Sequence, residues 1–444
     1  MTQKNQKVTY EQACEYILDI PRFAGKHTLA DTGAMLEELT GNELKSKIIH
    51  VAGTNGKGSA CAYLQSILQT AGFHVGMFIS PHLETMRERI LYDGEMISEE
   101  DFVKEFRLVQ QVSDRPEVGH PSFFEFLFLM GMCYFKEKQP DYVILETGLG
   151  GRLDATNCIK HPVMTVITEI GFDHMQYLGN TIPEIAAEKA GIMKPGAPVV
   201  YMDKRPEASS VIEEAAAEKK TTAIAVKTGQ ISHIRRGKKS IDFSFTSDYY
   251  KYDSLVLQTT AVYQTENASV ALTAAELLHE KRIDENAIRQ GLFRAFWPGR
   301  MEEILPDVFL DGAHNEDGIE AFLQSVSAEA TGDSTNGIGK RLLLFGVVAD
   351  KQYEKMIGKI VASQLFSHIA VTTLLSDRSA SMDTLKDAWT QYKATDCSFH
   401  EDAEAAFRYL QSIKGKDDTI YIAGSLYLAG QIKTLVRRTP DDRF

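Results

Sequence analysis

Two kinds of pattern alternate along the chain. Short apolar runs, KIIHVA at 47–52, HVGMFI at 74–79, DYVILE at 141–146 and VMTVIT at 163–168, are separated by longer helical stretches, one of them running from Ser59 to about Ala71. Runs this short and this apolar, each ending in a turn rich in small or polar residues, predict strands of a mostly parallel sheet covered by helices on both faces. Residues 123–135 (FFEFLFLMGMCYF) are apolar almost throughout. They are too short to span a bilayer and are interrupted by Glu125, so they read as a buried helix. Residues 231–258 break the rhythm: ISHIRRGKKSIDFSF alternates around Gly237-Lys238 and predicts antiparallel strands appended to the first sheet. A second α/β series follows Trp297-Pro298-Gly299-Arg300, with strands expected at 307–311, 341–348, 367–373 and 418–423. The Pro-Gly pair suits a domain junction. The fold class is therefore α/β, with one domain at 1–299 and a smaller Rossmann-like domain at 300–444. Residues 327–340 (SAEATGDSTNGIGK) are expected to form an exposed loop.

Composition narrows the function. The 444 residues exceed the ~150-residue domain size about threefold, which is room for more than one core. The net charge of −13 speaks against tracking a nucleic-acid backbone. The five cysteines are scattered and form no C-x-x-C pair, which argues against a disulfide framework or a zinc ribbon and for a reducing compartment. The N-terminal residues contain no apolar signal segment. A cytoplasmic monomer with no membrane or nucleic-acid partner is expected.

The strongest chemical signal is Gly53-Thr54-Asn55-Gly56-Lys57-Gly58-Ser59 between a strand and a helix. Such a turn curls backbone N–H groups around phosphate oxygens, the helix N-terminus adds positive potential, and Lys57 adds a mobile cation. It departs from the usual P-loop pattern. Val51 occupies the first glycine position, and Gly58 stands where a magnesium-binding Ser or Thr is usual. If Mg²⁺ is bound, its oxygen ligands must come from elsewhere. Ser80, Glu146 and His174 each follow a predicted strand, and strand exits of a doubly wound sheet share one edge. Taken singly, Ser80 and His174 would ordinarily be cap or core residues. Their convergence with Lys57 on one crevice favours a site. Thr181 and Pro183 mark the start of a helix that ends near Lys189, where a lysine would ordinarily complement the helix dipole. Gly148-Leu149-Gly150-Gly151 is no dinucleotide fingerprint, His27, His82 and His161 lack metal-ligand spacing, and the Lys-Arg cluster at 235–239 reads as a solvated turn.

Eight ordered blocks extend this reading: HVAGTNGKGS (50–59), SPHL (80–83), ERI (88–90), ETGLGGRLDATN (146–157), GFDHMQYLGNT…EIAAEKAGIMK (171–194), YQTENASVA (263–271), FWPGR (296–300) and LDGAHN (310–315). In order and spacing the chain resembles folylpolyglutamate synthases of the Mur ligase superfamily, some of which are also dihydrofolate synthases. AGKHTLADT at 24–32 departs from the family's Gly-Leu-rich stretch. The resemblance implies an ATP-dependent ligase that joins L-glutamate to a folate carboxylate, with reduced folates or dihydropteroate as acceptor. It implies that Thr54, Asn55, Gly56, Lys57, Gly58 and Ser59 hold the ATP phosphates, joined by Asn267, Arg300, Asp311 and His314. It further implies two Mg²⁺ sites, one on Ser80 and Glu146, the other on Glu146, His174 and a carbamate on Lys189. Ser122, Phe123, Phe124, Glu125, Leu153, Asp154 and Ala155 would line a pterin pocket, and Lys57, His174 and Lys189 would be catalytic. A P-loop switch or transport ATPase, and a ligase of cell-wall peptide precursors, are the alternatives; the ERI and SFFE blocks speak against the second by resemblance.

Overall fold

A computed structural model describes residues 8–21, 27–41, 44–115, 119–247, 250–328, 339–392 and 396–438. Among these, an eight-stranded sheet forms the first domain, in the order Glu95–Met96, Ile90–Tyr92, Val75–Phe78, Tyr142–Glu146, Lys47–Ala52, Met164–Ile167, Val199–Asp203 and Ala223–Lys227. From Val75–Phe78 onward the pairs are parallel, and the two short strands at the other edge are antiparallel. The central strand Lys47–Ala52 pairs Val51 with Glu146 on one side and with Val166 on the other, so three strand ends open at one edge. The strand is buried beyond Lys47 because helices cover both faces. Helix Lys57–Thr70 packs on one face with helix Gln264–Leu277, around Leu64, Ile67 and Leu68. Helix Phe123–Lys138 fills the other face. Its ten consecutive buried residues explain why the sequence there shows no amphipathic period.

The strands Ile231–Arg236, Ile241–Thr246 and Lys251–Leu257 form a separate antiparallel sheet, as the alternation predicts. The basic cluster at its turn is more than solvated surface. Arg236 donates to Thr260 O and Ser325 O, and Lys239 pairs with Glu303 at 2.5 Å, so this turn is tied to the second domain. That domain has a six-stranded sheet in the order Glu302–Leu305, Val308–Leu310, Thr419–Ala423, Arg341–Phe345, His368–Thr372 and Cys397–His400, parallel except for the first pair. Of the expected exposed loop at 327–340, residues 327–328 continue helix Glu316–Ala328, and 329–338 lie outside the described residues. The sequence signals did not distinguish the two N-terminal helices, Tyr10–Asp19 and Leu29–Thr40, which pack against the Phe123–Lys138 helix. No helix among the described residues is long and apolar enough to cross a membrane.

Candidate active site

The Gly-rich turn leaves the central strand at Ala52 and enters its helix at Lys57, two residues earlier than periodicity suggests. Gly56 is the cap residue, with φ of 83°, a left-handed conformation that glycine reaches without strain. A Cβ there would lie 2.1 Å from Asn267 Oδ1, so the turn also needs the missing side chain for packing. Gly58 has a similar reason. A Cβ at this position would come within 2.7 Å of the Trp297 indole, which leaves no room for the usual P-loop hydroxyl. Ser59 follows it and accepts a hydrogen bond from Gln264 Nε2 at 3.1 Å.

Lys57 Nζ donates to Gly53 O at 3.2 Å and lies 4.0 Å from Glu146 Oε1. Glu146 ends its strand deeply buried, and its other oxygen accepts the Ser80 N–H at 2.9 Å. Burial pushes its carboxyl up, opposed by the charge of Lys57. Lys189 is not the exposed, dipole-complementing cation that its place near a helix end suggested. It is buried, and its ammonium donates to Gly53 O at 2.8 Å, beneath the phosphate turn. Burial, and then the nearby Lys57 charge, bring its pKa down to about 7. Its helix starts as predicted, with Thr181 and Glu184 in a reciprocal capping box and proline in the first turn. His174, half-buried and left-handed at φ 48°, is held neutral mainly by burial, with a pKa near 4. Gly53, Gly56, Lys57, Ser59, Ser80, Glu146, His174, Lys189 and Asn267 border one crevice of about 150 Å³.

The second domain supplies the opposite wall. Arg300, Asp311 and His314 line the same crevice as Lys57, Glu146, Lys189 and Asn267. Asp311 is buried and accepts from Tyr263 Oη at 2.5 Å and from the Met301 and Ala313 N–H groups. His314 sets its ring through Nδ1 against Gly312 O at 2.8 Å. Two contacts across the domains had no clear signal in the sequence. Asn315 Nδ2 donates to Asn55 Oδ1 at 2.9 Å, and Lys351 Nζ pairs with Asp173 at 2.5 Å. Asp173 also receives Asn315 Nδ2 at 3.2 Å and lies 3.6 Å from His314 Nε2. Burial opposes its charge, but His314 and Lys351 outweigh it and hold the carboxyl well below the usual range. Asp173 adjoins the flagged His174; nothing in VVADKQ singled out Lys351.

Beyond Glu146, the residues expected at a second substrate divide by role. Phe123 and Phe124 are half-buried at the start of their helix, with Arg89 over the Phe123 ring at 5.3 Å and Phe124 edge-on to Phe78. Leu153 is 69% exposed, whereas Ala155 is buried. The polar members serve the scaffold. Ser122 caps the helix, Glu125 Oε2 accepts the Ser122 N–H, and Glu125 Oε1 accepts Thr32 Oγ1 and faces His27 Nδ1 at 3.0 Å. Asp154 accepts the N–H groups of Gly148, Leu149 and Thr156 and thereby shapes the glycine-rich turn after Glu146.

The crevice fits a polyphosphate with a divalent cation. Asn55 Nδ2 is a buried donor with no partner among the described residues, in a turn whose residues Gly53 to Ser59 line the crevice. Glu146 and the Ser80 hydroxyl are hard oxygen donors suited to magnesium. No three His, Cys, Asp or Glu side chains among the described residues are grouped to hold a metal alone. A cation here would therefore need oxygens from the nucleotide.

Comparisons with known proteins agree with this architecture. Residues 51–275 match the Mur ligase middle domain, and residues 299–426 match the Mur ligase glutamate ligase domain. The paired domains around one phosphate crevice are thus those of a Mur ligase. The chain belongs to the folylpolyglutamate synthase/dihydrofolate synthase family of these ligases. The dihydrofolate synthase/folylpolyglutamate synthase of Bacillus subtilis (strain 168) is 35% identical over 437 residues, covering 96% of this chain and 98% of its own. The folylpolyglutamate synthase of Lacticaseibacillus casei is 31% identical over 441 residues, covering 96% and 98%. Among solved structures, E. coli FolC in complex with DHPP and ADP superposes with a TM-score of 0.83 at 27% identity, covering 99% of this chain and 100% of that one. Mycobacterium tuberculosis folylpolyglutamate synthase complexed with ADP gives a TM-score of 0.88 at 25% identity, covering 97% and 99%.

Proposed function

We propose that this enzyme uses ATP to join L-glutamate to a folate carboxylate, extending reduced folates and also accepting dihydropteroate. The observation that carries the reading is the two-walled crevice, in which Lys57, Glu146 and Lys189 from one domain face Arg300, Asp311 and His314 from the other. We place the domain boundary at residue 299, and Arg300 on the second wall supports that placing. Thr54 to Ser59 cradle the phosphates, with Asn267 at the adenine, Asp311 and His314 closing over the nucleoside, and Arg300 reaching the phosphates. Ser80 and Glu146 would hold one Mg²⁺, and Glu146, His174 and a carbamate on Lys189 a second. Bound there, magnesium would neutralise charge on the transferring phosphate. A lysine whose pKa lies near 7 keeps a free amine for CO₂ at neutral pH, which the carbamate requires.

Lys57 stabilises charge as the folate carboxylate attacks the γ-phosphorus in line, breaking its bond to ADP and forming an acyl phosphate. The neutral amine of glutamate then attacks that carbonyl, and phosphate leaves as the amide forms. Water would hydrolyse the acyl phosphate, and the ties from Asn55 to Asn315 and from Asp173 to Lys351 hold the second domain over the crevice. Phe123 and Phe124 offer flat apolar surface to a pteridine ring beside Ser122, Leu153 and Ala155, while Glu125 and Asp154 hold the walls. We read the enzyme as a monomer. All five cysteines are free, which supports a cytoplasmic setting. Incubation with ATP, glutamate and either dihydropteroate or tetrahydrofolate, followed by mass spectrometry, tests the reading. We expect products heavier by one or more glutamyl units; ATP hydrolysis that ignores both acceptor and glutamate would overturn it.

A further inference from the structure

The central strand Lys47–Ala52 buries a histidine completely, just before the phosphate turn. Burial, and then the charge of Lys194, bring the pKa of His50 down to about 3, so its ring stays neutral and carries one N–H. His50 Nε2 lies 2.7 Å from Thr156 Oγ1, and Thr156 Oγ1 in turn donates to Asp154 Oδ1 at 2.5 Å. A hydroxyl has a single proton, and that of Thr156 goes to the carboxylate. Its oxygen therefore accepts from His50 Nε2–H, which fixes the tautomer. Nδ1 is left as a buried acceptor with no partner among the described residues. Such an acceptor works against stability, and an aliphatic side chain in this strand would bury none. The reason for a histidine is thus to be sought at its other nitrogen.

That nitrogen starts a relay that ends at the crevice. Asp154 is buried and accepts the N–H groups of Gly148 and Leu149 on one oxygen, both at 2.8 Å, and that of Thr156 on the other at 3.0 Å. Burial raises its pKa, and the Thr156 hydroxyl leads the hydrogen bonds that oppose the rise. Gly148 and Leu149 line the crevice just after Glu146, and a Cβ on Gly148 would lie 2.7 Å from the Phe124 ring. We propose that His50 is a positioning residue for the folate acceptor: through Thr156 and Asp154 it fixes the Gly148–Leu149 turn against Phe124, and with it the ring surface offered to the pteridine. The inference rests on the acceptor site proposed above. The ATP side has other supports. Lys57 is held by Gly53 O, Thr54 by Gly171 O, and Glu146 by its strand and the Ser80 N–H, none of them through the relay.

The test uses the full chain and two readouts. His50→Leu removes the donor, whereas His50→Gln places an amide N–H where Nε2 stood; Thr156→Val and Thr156→Ser make the same contrast one step along. In the free protein, amide hydrogen exchange at Gly148 and Leu149 should quicken about tenfold in the Leu and Val variants, the worth of one hydrogen bond. The Gln and Ser variants should return it towards wild type. In steady-state assays the Leu and Val variants should raise KM for tetrahydrofolate by a similar factor and keep the wild-type KM for ATP. A loss of packing alone would move both constants together. If His50→Leu does not fold, Thr156→Val carries the test. Unchanged exchange in the Leu and Val variants, equal rises in both KM values, or a Gln variant as impaired as Leu would overturn the proposal. A wild-type chain that makes no glutamyl product would overturn the proposed reaction instead, and the exchange readout, which needs no substrate, judges the relay separately.

Discussion

Lys57 and Lys189 carry the same formal charge and occupy opposite environments. Lys57 keeps 17% of its side chain exposed and can follow a phosphate, whereas Lys189 is buried under the turn with a pKa near 7. Lys57→Ala should lower kcat at least about 100-fold, comparable with removing one charge-stabilising donor, while circular dichroism and the melting temperature stay close to wild type. Near-normal turnover would take this lysine out of the mechanism. For Lys189 the replacement matters more than the loss. If Lys189 carries the proposed carbamate, Lys189→Ala should lose activity and regain part of it when a short carboxylic acid is added, since the acid can stand where that carbamate would. Lys189→Arg should stay inactive, because guanidinium keeps its charge and does not react with CO₂ at neutral pH. A fully active arginine variant would contradict the carbamate.

Among the elements, helix Glu99–Ser113 contains a buried group that the proposed reaction does not use. Glu105 is almost fully buried, and neither oxygen finds a hydrogen-bond partner among the described residues. Burial first, then the Glu137 carboxyl beside it, raise its pKa to about 7. The sign follows from proton uptake: between the ordinary carboxylate value and 7 the folded chain holds a proton that the unfolded chain has released. Glu105 therefore favours folding at low pH, loses that contribution as pH rises through this window, and changes nothing further above it. Glu105→Gln should abolish that slope and gain roughly 1–3 kcal/mol at pH 8, visible as a higher urea midpoint. An unchanged pH profile in the variant would assign the slope elsewhere. The helix itself shows how legibility depends on burial. Its one-sided apolar face packs on the Phe123–Lys138 helix, and no candidate chemistry drew notice to it in the sequence. The central strands were legible to within a residue or two because a strand buried on both faces must be a short apolar run.

For the whole molecule, the decisive feature is that residues on both sides of the junction line one crevice, which we propose as the site. A chain ending near residue 296 lacks Arg300, Asp311 and His314, and should bind ATP weakly and form no product, as equilibrium dialysis and mass spectrometry would show. Ligation by that fragment would refute the two-domain assembly. Lys351 and Asp173 are both nearly buried where the domains meet. Removing one partner of such a pair leaves the other charge uncompensated, at a cost of about 3–5 kcal/mol. Lys351→Met should therefore loosen the closed arrangement and reduce kcat/KM for ATP. The double variant with Asp173→Asn should recover part of the lost stability, and strictly additive losses would show that the pair is not coupled.

The sequence by itself determined the α/β class, the Gly-rich turn between strand and helix, the strand exits bearing Ser80, Glu146 and His174, and the capped helix leading to Lys189. Each of these rests on local physics: apolar period, turn chemistry, capping and residue order. Tertiary structure alone decided that Lys189 is buried against Gly53 O, that Trp297 occupies the space a P-loop hydroxyl would need at Gly58, and that Arg236 and Lys239 tie the hairpin to the second domain. It also decided that Asp173 meets Lys351, 178 positions away. Burial, the partner of a charge and the room for a Cβ depend on what the rest of the chain brings into contact, and no local pattern encodes that.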